Sequence, residues 1–440
     1  MLAARNVVSW LAARAAPAMQ AGLRRGVAVS ISARCQSTAC RRHVVATLRR
    51  HLHSNTRSSV GTRVQSGVLA NTAVRAAEFS STTGAAMDAS QRTIGVWLLG
   101  TTGLIFGAVV LGGVTRLTES GLSMVKWHPI KGMRPPVSEE EWIEEFECYK
   151  QYPEYKYSNG MSLEDFKRIF YMEYAHRMWG RLIGVAFAVP AIAFWLRGRI
   201  RQQYKPVVLA MGGLLGFQGV LGWIMVKSGL DYDPEGKHVP RVSHYRLAAH
   251  LGSAFLLYIV TLWTGLSHIL PERTFKETPR ALFKLKRYAH MVGGLVFITA
   301  LSGAFVAGLD AGLLYNEFPL MGGRWVPSDL LALSPTWTNF FDNPTTVQFD
   351  HRILGVTTGL SVLALWAKAR KLPLHGRARL AINAMLGMVS VQVSLGIATL
   401  LYFVPTPLAA THQAGSLTLL TFAVWFMHEL RRLKLNKMPK

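Results

Sequence analysis

The sequence predicts an all-α membrane protein with eight transmembrane helices, arranged as two pseudo-symmetric four-helix bundles. Half of the 440 residues are hydrophobic, and the mean hydropathy is positive at +0.21. The chain also contains eight apolar segments, and its second half repeats the order of motifs found in the first. A helix needs about 20 apolar residues to cross the hydrocarbon core of a bilayer, and each segment can reach that length.

Five uncharged runs are long enough on their own. They are residues 93–115, 206–226, 247–270, 288–309 and 380–406. Two shorter runs, 182–196 and 353–367, reach full length only when the preceding His-Arg dipeptide is counted into the helix. Residues 407–427 complete the set of eight.

The first 90 residues differ in composition from the rest of the chain. They contain twelve arginines and no lysine, and their only acids are Glu78 and Asp88. An arginine-rich, acid-poor leader is typical of a mitochondrial transit peptide, although a disordered basic tail has the same composition. We therefore predict a transit peptide and disordered region in 1–90, an N-terminal bundle in 91–270 and a C-terminal bundle in 271–440. Much of the net charge of +25 lies in the leader and in short loops, so we expect no nucleic-acid partner.

The loops indicate an orientation. Residues 197–205, 271–287, 368–379 and 431–440 are rich in Lys and Arg, whereas the loops on the other side are acidic or mixed. Positively charged loops stay on the side from which the protein is inserted. For a mitochondrial inner-membrane protein, both mature termini would then face the matrix.

The two halves match motif by motif. The segment Glu173-Tyr-Ala-His-Arg-Met-Trp-Gly180 corresponds to Gln348-Phe-Asp-His-Arg-Ile-Leu-Gly355, and Gln218 corresponds to Gln392. Each half has an even number of predicted spans, so the copies share one topology. A bundle of this kind can hold a cofactor between facing helices, although a duplicated bundle without cofactors, such as a transporter, has the same pattern.

Two pairs of histidines recur at matching places in the repeat, His176 with His250 and His351 with His412. Ligating side chains inside a bilayer are costly and usually mark function. Haem iron takes axial nitrogen ligands, and imidazole is a common one. The pattern therefore predicts one haem site per half, whereas a single such histidine would more readily be explained by a structural hydrogen bond.

Three further residues belong to these candidate sites. Arg177 and Arg352 follow the first histidine of each pair and could contact haem propionates, or extend toward lipid headgroups. Glu173 lies on the same helix face as His176, where the second half has Gln348. The carboxylate predicts proton chemistry in the N-terminal half, although an acid near a helix start is also favoured by the helix dipole.

Five motifs in order resemble the signatures of the mitochondrial type of haem A synthase. They are Gly112-Gly-Val-Thr-Arg-Leu-Thr-Glu-Ser-Gly-Leu-Ser-Met124, Glu173-Tyr-Ala-His-Arg177, Asn316-Glu-Phe-Pro-Leu-Met321, Gln348-Phe-Asp-His-Arg352 and Thr411-His-Gln-Ala-Gly415. The resemblance implies oxidation of the C8 methyl group of haem O to a formyl group by successive oxygen-dependent hydroxylations, giving haem A for cytochrome c oxidase.

The resemblance also implies roles for residues and partners. Glu173 would be catalytic, His176 and His250 would bind the substrate haem, and His351 and His412 would be the axial ligands of a haem b cofactor. Implied partners are a matrix ferredoxin as electron donor, haem O synthase and cytochrome c oxidase assembly factors, besides membrane lipid. Glycine-rich spans are consistent with a homo-oligomer. Some bacterial relatives carry a cysteine pair in the first outer loop, where this chain has only Cys148, so no thiol role carries over.

Two other functions share the same histidines. A di-haem electron carrier of the cytochrome b type would need the four ligands but not Glu173. A haem-binding chaperone for oxidase assembly would instead form a stable complex with an oxidase subunit.

Overall fold

The computed structural model describes residues 89–128, 131–157, 160–230, 240–271 and 280–431, which all belong to the unit Thr83–Lys440. The predicted transit peptide therefore lies outside the described residues, apart from its last two positions. The described part of the chain is helical, with no strand and only an isolated bridge between Met321 and Arg324.

Eleven α-helices make up this part of the chain. They are α1 (Ala89–Leu117), α2 (Glu139–Tyr149), α3 (Pro153–Tyr157), α4 (Leu163–Leu196), α5 (Lys205–Leu230), α6 (His244–Ile269), α7 (Arg280–Gly308), α8 (Asn339–Asp342), α9 (Pro344–Ala369), α10 (Gly376–Leu401) and α11 (Thr406–Glu429).

Six of the long helices are long and apolar enough to cross a membrane, namely α1, α4, α5, α6, α7 and α10. The other two long helices, α9 with 26 residues and α11 with 24, have the length but not the hydropathy. In α9 the reason is charge, because Asp350, Arg352 and Lys368 all lie within it. In α11, four threonines, one serine and two histidines interrupt the apolar sequence.

The long helices pack in a regular order. Helix α1 packs against α4 and α6, and α5 packs against α6, while in the second half α7 packs against α9 and α11, and α10 packs against α11. Contacts of α6 with α7, and of α1 with α11, join the two groups. The buried apolar residues of these helices form one continuous cluster.

Helix α4 begins earlier than the hydropathy pattern indicates. Its start is set by Ser162, whose hydroxyl accepts a hydrogen bond from the Asp165 amide, so His176 lies thirteen residues inside the helix rather than at its beginning. The extension is stabilised by aromatic packing, because the ring centroid of the fully buried Phe166 lies 5.0 Å from the ring centroids of both Phe146 and Tyr149 of α2. The loop between α1 and α4 is therefore a small packed layer of its own.

This layer encloses a second carboxylate. Burial raises the pKa of Glu154 to about 8, and the negative charge of Glu173 contributes next. Its Oε2 atom is buried without a hydrogen-bond partner among the described residues. The fold therefore favours the protonated, uncharged carboxyl.

The raised pKa of Glu154 predicts a pH dependence of stability. Because the folded protein holds this proton more tightly than the unfolded chain, protonated Glu154 adds its full contribution to folding stability below about pH 4.5. That contribution is lost as the pH rises to about 8. Glu154→Gln should match the parent in thermal midpoint at pH 5 and exceed it at pH 9, as measured by thermal unfolding in detergent. The exposed Glu144 offers the control Glu144→Gln. Equal midpoints of parent and Glu154→Gln at both pH values would contradict this assignment.

Candidate functional site

The second histidine pair has the separation that a single iron requires. The ring centroids of His351, on α9, and His412, on α11, are 6.5 Å apart, and the ring planes are nearly perpendicular at 87°. A metal–imidazole bond is about 2 Å long, so two imidazoles on opposite sides of one metal have centroids roughly 6 Å apart. The residues present therefore fit an axial pair on haem iron.

The first pair lies on the corresponding helices of the other half. His176 lies on α4 and His250 on α6, and the two imidazoles are close enough to interact electrostatically. All four histidines are only partly buried. Among the described residues, none is hydrogen-bonded to the Nε2 atom of any of the four, which leaves that nitrogen available to a ligand.

Each histidine is seated against a glycine of the neighbouring helix. A Cβ atom built on Gly112 would lie 2.8 Å from Cε1 of His176, and one on Gly396 would lie 2.8 Å from Cε1 of His412. The corresponding distances from Gly222 to His250 and from Gly303 to His351 are longer, at 3.5 and 3.4 Å. These glycines give each imidazole room to lie directly on a helix backbone.

The contacts pair the glycines of the two halves differently from their sequence letters. The repeated letters Gly-Ala-X-Val align Gly107 with Gly303, but by contact the counterpart of Gly303 is Gly112. Gly107 lies instead against the indole of Trp179, one turn further along α4. A short match of small residues could not distinguish two glycines five positions apart.

The Nδ1 atoms of the histidines differ in their partners. His351 Nδ1 lies 2.7 Å from the Ser302 hydroxyl, and the side-chain nitrogen of Gln218 donates to His250 Nδ1 at 3.1 Å and to the His250 carbonyl at 3.2 Å. The Nδ1 atoms of His176 and His412 are buried and have no partner among the described residues. The two repeated glutamines thus have an explanation, because Gln392 likewise donates to the carbonyl of His412 at 2.9 Å.

Glu173 anchors the loop between α1 and α4. Its Oε2 accepts hydrogen bonds from the Ser123 hydroxyl and the Met124 amide, each at 2.7 Å, and its Oε1 pairs with Arg177 at 2.5 Å. Arg177 also donates to the Met124 carbonyl at 2.8 Å. The carboxylate is therefore fully engaged, and it fixes the end of the Gly112–Met124 motif above His176.

The second half repeats this arrangement with an uncharged amide in place of the carboxylate. Gln348 donates to the Tyr315 carbonyl at 3.1 Å, and Arg352 donates to the carbonyls of Tyr315 and Leu320. Each arginine therefore holds an interhelical loop over the first histidine of its pair, the loop after α1 for Arg177 and the loop after α7 for Arg352. The Glu-to-Gln difference changes the charge at this point but not the architecture.

An open cavity of about 270 Å³ lies beside Arg177. Its lining includes Trp127, Trp223 and Lys227, and the Lys227 ammonium lies 5.7 Å from the centre of the Trp223 ring. Sequence reasoning missed Lys227, although its position at the end of an apolar run was a signal for a cation at the membrane edge. Arg177 and Lys227 together give the cavity a positive rim.

Two histidines outside the four candidate ligands have structural partners. His244 lies 3.0 Å from Asp342, and His268 Nδ1 lies 2.8 Å from the Thr264 carbonyl. No group of three or more His, Cys, Asp or Glu that could hold a metal ion occurs in the described part of the chain. Paired imidazoles suit haem in particular, because the porphyrin supplies the remaining ligands.

The buried ion pair should be costly to break. The side chains of Glu173 and Arg177 are only 3% and 12% exposed. Because Glu173→Ala leaves Arg177 buried beside a single carbonyl, we expect a loss of about 3–5 kcal/mol of stability, measured as a lower thermal midpoint. The exposed pair of Glu147 with Lys150 is the control, since Glu147→Ala should cost less than about 1 kcal/mol. Equal losses in the two variants would contradict the anchoring role.

Comparison with known proteins identifies the family. Residues 95–424 match the family model described as cytochrome oxidase assembly protein. The protein named "Heme A synthase COX15" of Bos taurus is 57% identical over 353 residues, which cover 80% of this chain and 85% of the relative. Its namesake in Homo sapiens is 57% identical over 345 residues (78% and 84%), and the "Heme A synthase" of Nitrosospira multiformis is 50% identical over 348 residues (78% and 95%). From its matching residues and its similarity to these relatives, the chain belongs to the cytochrome oxidase assembly protein family.

Proposed function

We propose that this protein is a haem A synthase, a membrane oxidoreductase that oxidises the C8 methyl group of haem O to the formyl group of haem A. The observation that carries the proposal is the pair of repeated imidazole sites, one with a centroid separation of 6.5 Å. Relatives that are named for this activity match about four fifths of the chain. Two hydroxylations of the methyl carbon, each consuming one O2, two protons and two electrons from the proposed ferredoxin donor and releasing one water, followed by loss of water from the geminal diol, would balance the conversion.

The N-terminal half, residues 91–270, is the proposed substrate site. His176 and His250 would bind the iron of haem O, and the positive rim formed by Arg177 and Lys227 would pair with propionate groups. Arg177 is partly committed to Glu173 and to Met124, so Lys227 is the freer of these two cations. Glu173 is the proposed catalytic carboxylate, and its bonds to Ser123 and Arg177 hold it on the helix that carries His176.

The C-terminal half, residues 271–440, is the proposed haem b site. His351 and His412 would be its axial ligands, and Arg352 the candidate for propionate contact. When bound, haem b would supply one-electron redox chemistry. The protein residues fix the imidazole orientation through Ser302 and Gly396 and hold the outer loop closed through Arg352.

The architecture and location follow from the same proposal. We take α9 and α11 as additional spans, because each lies in the group of four long helices to which its histidine belongs, which gives eight spans in two pseudo-symmetric bundles. Several properties remain predictions from the sequence. They are a mitochondrial inner-membrane location with both mature termini in the matrix, and cleavage within 1–90. They also include a ferredoxin donor, contacts with haem O synthase and oxidase assembly factors, and a homo-oligomer.

The activity can be tested by extracting and weighing the haems. The mature segment would be expressed, with a ferredoxin and its reductase, in a bacterium that makes haem O but not haem A. We expect haem A or its hydroxylated precursor in the parent, and little of either in Glu173→Gln. The exposed His290, bonded only to a backbone carbonyl of its own helix, gives the control His290→Ala. Unmodified haem O from a folded, fully reconstituted parent would argue for an electron carrier or a chaperone instead.

The C-terminal assignment has its own prediction. His412→Ala removes one of two imidazoles that face each other across 6.5 Å, so the protein should lose haem b while keeping the capacity to bind haem O. Haem b content per protein, determined after purification, is the measurement. Haem b occupancy equal to that of the parent would rule out His412 as a ligand.

A further inference from the structure

The layer between α1 and α4 contains a buried tyrosine hydroxyl that packing does not explain. The Tyr149 side chain is 0% exposed and lies among aromatic rings, with the ring centroid of Phe166 at 5.0 Å. Its hydroxyl oxygen has no hydrogen-bond partner among the described residues. A buried hydroxyl without a partner destabilises a fold, whereas phenylalanine would fill the same space without that penalty. The layer therefore needs the ring of Tyr149 but not its hydroxyl.

The Tyr149 hydroxyl lies close to two carboxyl groups. Burial raises the pKa of Tyr149, and the neighbouring Glu154 and then Glu173 raise it further. The Oε2 atom of Glu154 is also buried without a partner among the described residues. Tyr149 belongs to the same apolar cluster as Met124, whose amide donates to Glu173 at 2.7 Å. The hydroxyl thus adjoins one carboxyl group of the loop layer and the carboxylate of the candidate substrate site.

These two carboxyl groups are suited to opposite ends of a proton transfer. Glu154 is the one that the fold keeps protonated, because burial raises its pKa to about 8. Glu173 accepts hydrogen bonds from Ser123, from the Met124 amide and from Arg177. A carboxylate has about four acceptor sites, so these donors leave one for an incoming proton.

Glu154 also has a neighbour at the protein surface. The Glu119 side chain, in the turn after α1, is exposed and acts electrostatically on Glu154. Arg116, in the last turn of α1, acts on it as well and is itself paired with Asp310. A proton that leaves Glu154 can therefore be replaced from solvent beside Glu119. The titratable groups around Glu154 are Tyr149 of α2, Glu173 of α4, and Arg116 and Glu119 at the end of α1.

The second half has a tyrosine and a carboxylate of the opposite kind in the corresponding loop. The Tyr315 hydroxyl donates to Asp329 at 3.0 Å, and the Thr345 hydroxyl donates to the same carboxylate at 2.6 Å. The hydrogen bond from Thr345 holds the pKa of Asp329 below its usual value. This pair is satisfied and ionised, as a structural contact should be, whereas Tyr149 and Glu154 are neither.

We propose that Glu154 and Tyr149 form a proton relay that supplies Glu173 and, through it, the substrate pocket. This inference rests on the proposed function, in which each hydroxylation consumes two protons. The O–H bond of Glu154 breaks as its proton binds the Tyr149 oxygen, and the original hydroxyl proton of Tyr149 moves to Glu173. One proton is transferred, no electron moves, and Tyr149 is unchanged. Solvent then returns a proton to Glu154, and two passes supply one hydroxylation.

The test measures the rate of haem O conversion by the full mature chain between pH 6 and pH 9, with reduced ferredoxin in excess. Glu154→Gln and Tyr149→Phe should each be at least about tenfold slower than the parent at pH 7. The parent rate should fall as the pH passes about 8, where Glu154 loses its proton, and Glu154→Gln should lack this fall. Glu154→Asp, which restores an ionisable carboxyl group, should recover part of the rate.

Two readouts separate a relay from a structural role. Tyr149→Phe and Glu154→Gln should bind haem O as the parent does and be at least as stable in thermal unfolding, because neither loses a described hydrogen bond. The infrared carbonyl band of a protonated carboxyl group should appear in the parent at pH 6, be largely lost at pH 9 and be absent in Glu154→Gln. The exposed Glu144 again gives the control, since Glu144→Gln should reproduce the rate, the pH profile and the band of the parent.

The outcomes distinguish the relay from the function on which it rests. A parent that makes haem A at the same rate as Glu154→Gln and Tyr149→Phe would refute only the relay. Slow variants that also unfold at lower temperature and are not rescued by Glu154→Asp would show a structural role and likewise overturn it. A reconstituted parent that forms no haem A, in which Glu154 still shows the infrared band, would instead refute the proposed function and the relay with it.

Discussion

The close approach of an imidazole to a glycine backbone determines how the long helices meet. Four times, a histidine of one helix lies on a glycine of the next, from His176 on Gly112 to His412 on Gly396. In a bilayer, helices gain little from burying apolar surface against one another, and close packing at small residues replaces that driving force. The residues that bring the helices together are therefore the same ones that hold the candidate ligands.

In each half, the loop after the first long helix is bound by the residues that flank the first histidine. Glu173 lies three positions before His176, and Arg177 lies one position after it. Gln348 and Arg352 have the same spacing from His351. Because residues three and four apart share a helix face, these side chains reach the loop while the histidine reaches its partner helix. The His176 site among the long helices is thus connected to the packed layer between α1 and α4, where Phe166 packs against α2.

Helix α1 links the two halves. Gly112 contacts His176, and the next residue, Gly113, is in contact with the side chain of Gln413, which donates to the Val109 carbonyl at 3.0 Å. Gln413 follows His412 in the chain, so adjacent residues serve the C-terminal pair and the packing of the N-terminal half. Asp310, in the loop after α7, pairs with both Arg116 in the last turn of α1 and Arg241 in the segment before α6. Both candidate sites therefore depend on helix α1, and the two groups of helices are not independent of each other.

The sequence alone determined the helical class, the approximate positions of the long helices, the two histidine pairs and the family resemblance. These properties depend on periodic apolar runs and on repeated motifs, which are local along the chain. It did not determine where α4 begins, which glycine contacts which histidine, that Glu173 is bound by Ser123 and Met124, or that Lys227 lies on the same cavity as Arg177. Each of these depends on groups that are far apart in sequence and are brought together only when the helices pack. The different Nδ1 surroundings of His176 and His250 are of the same kind, since only neighbours across the helix interfaces distinguish the two imidazoles.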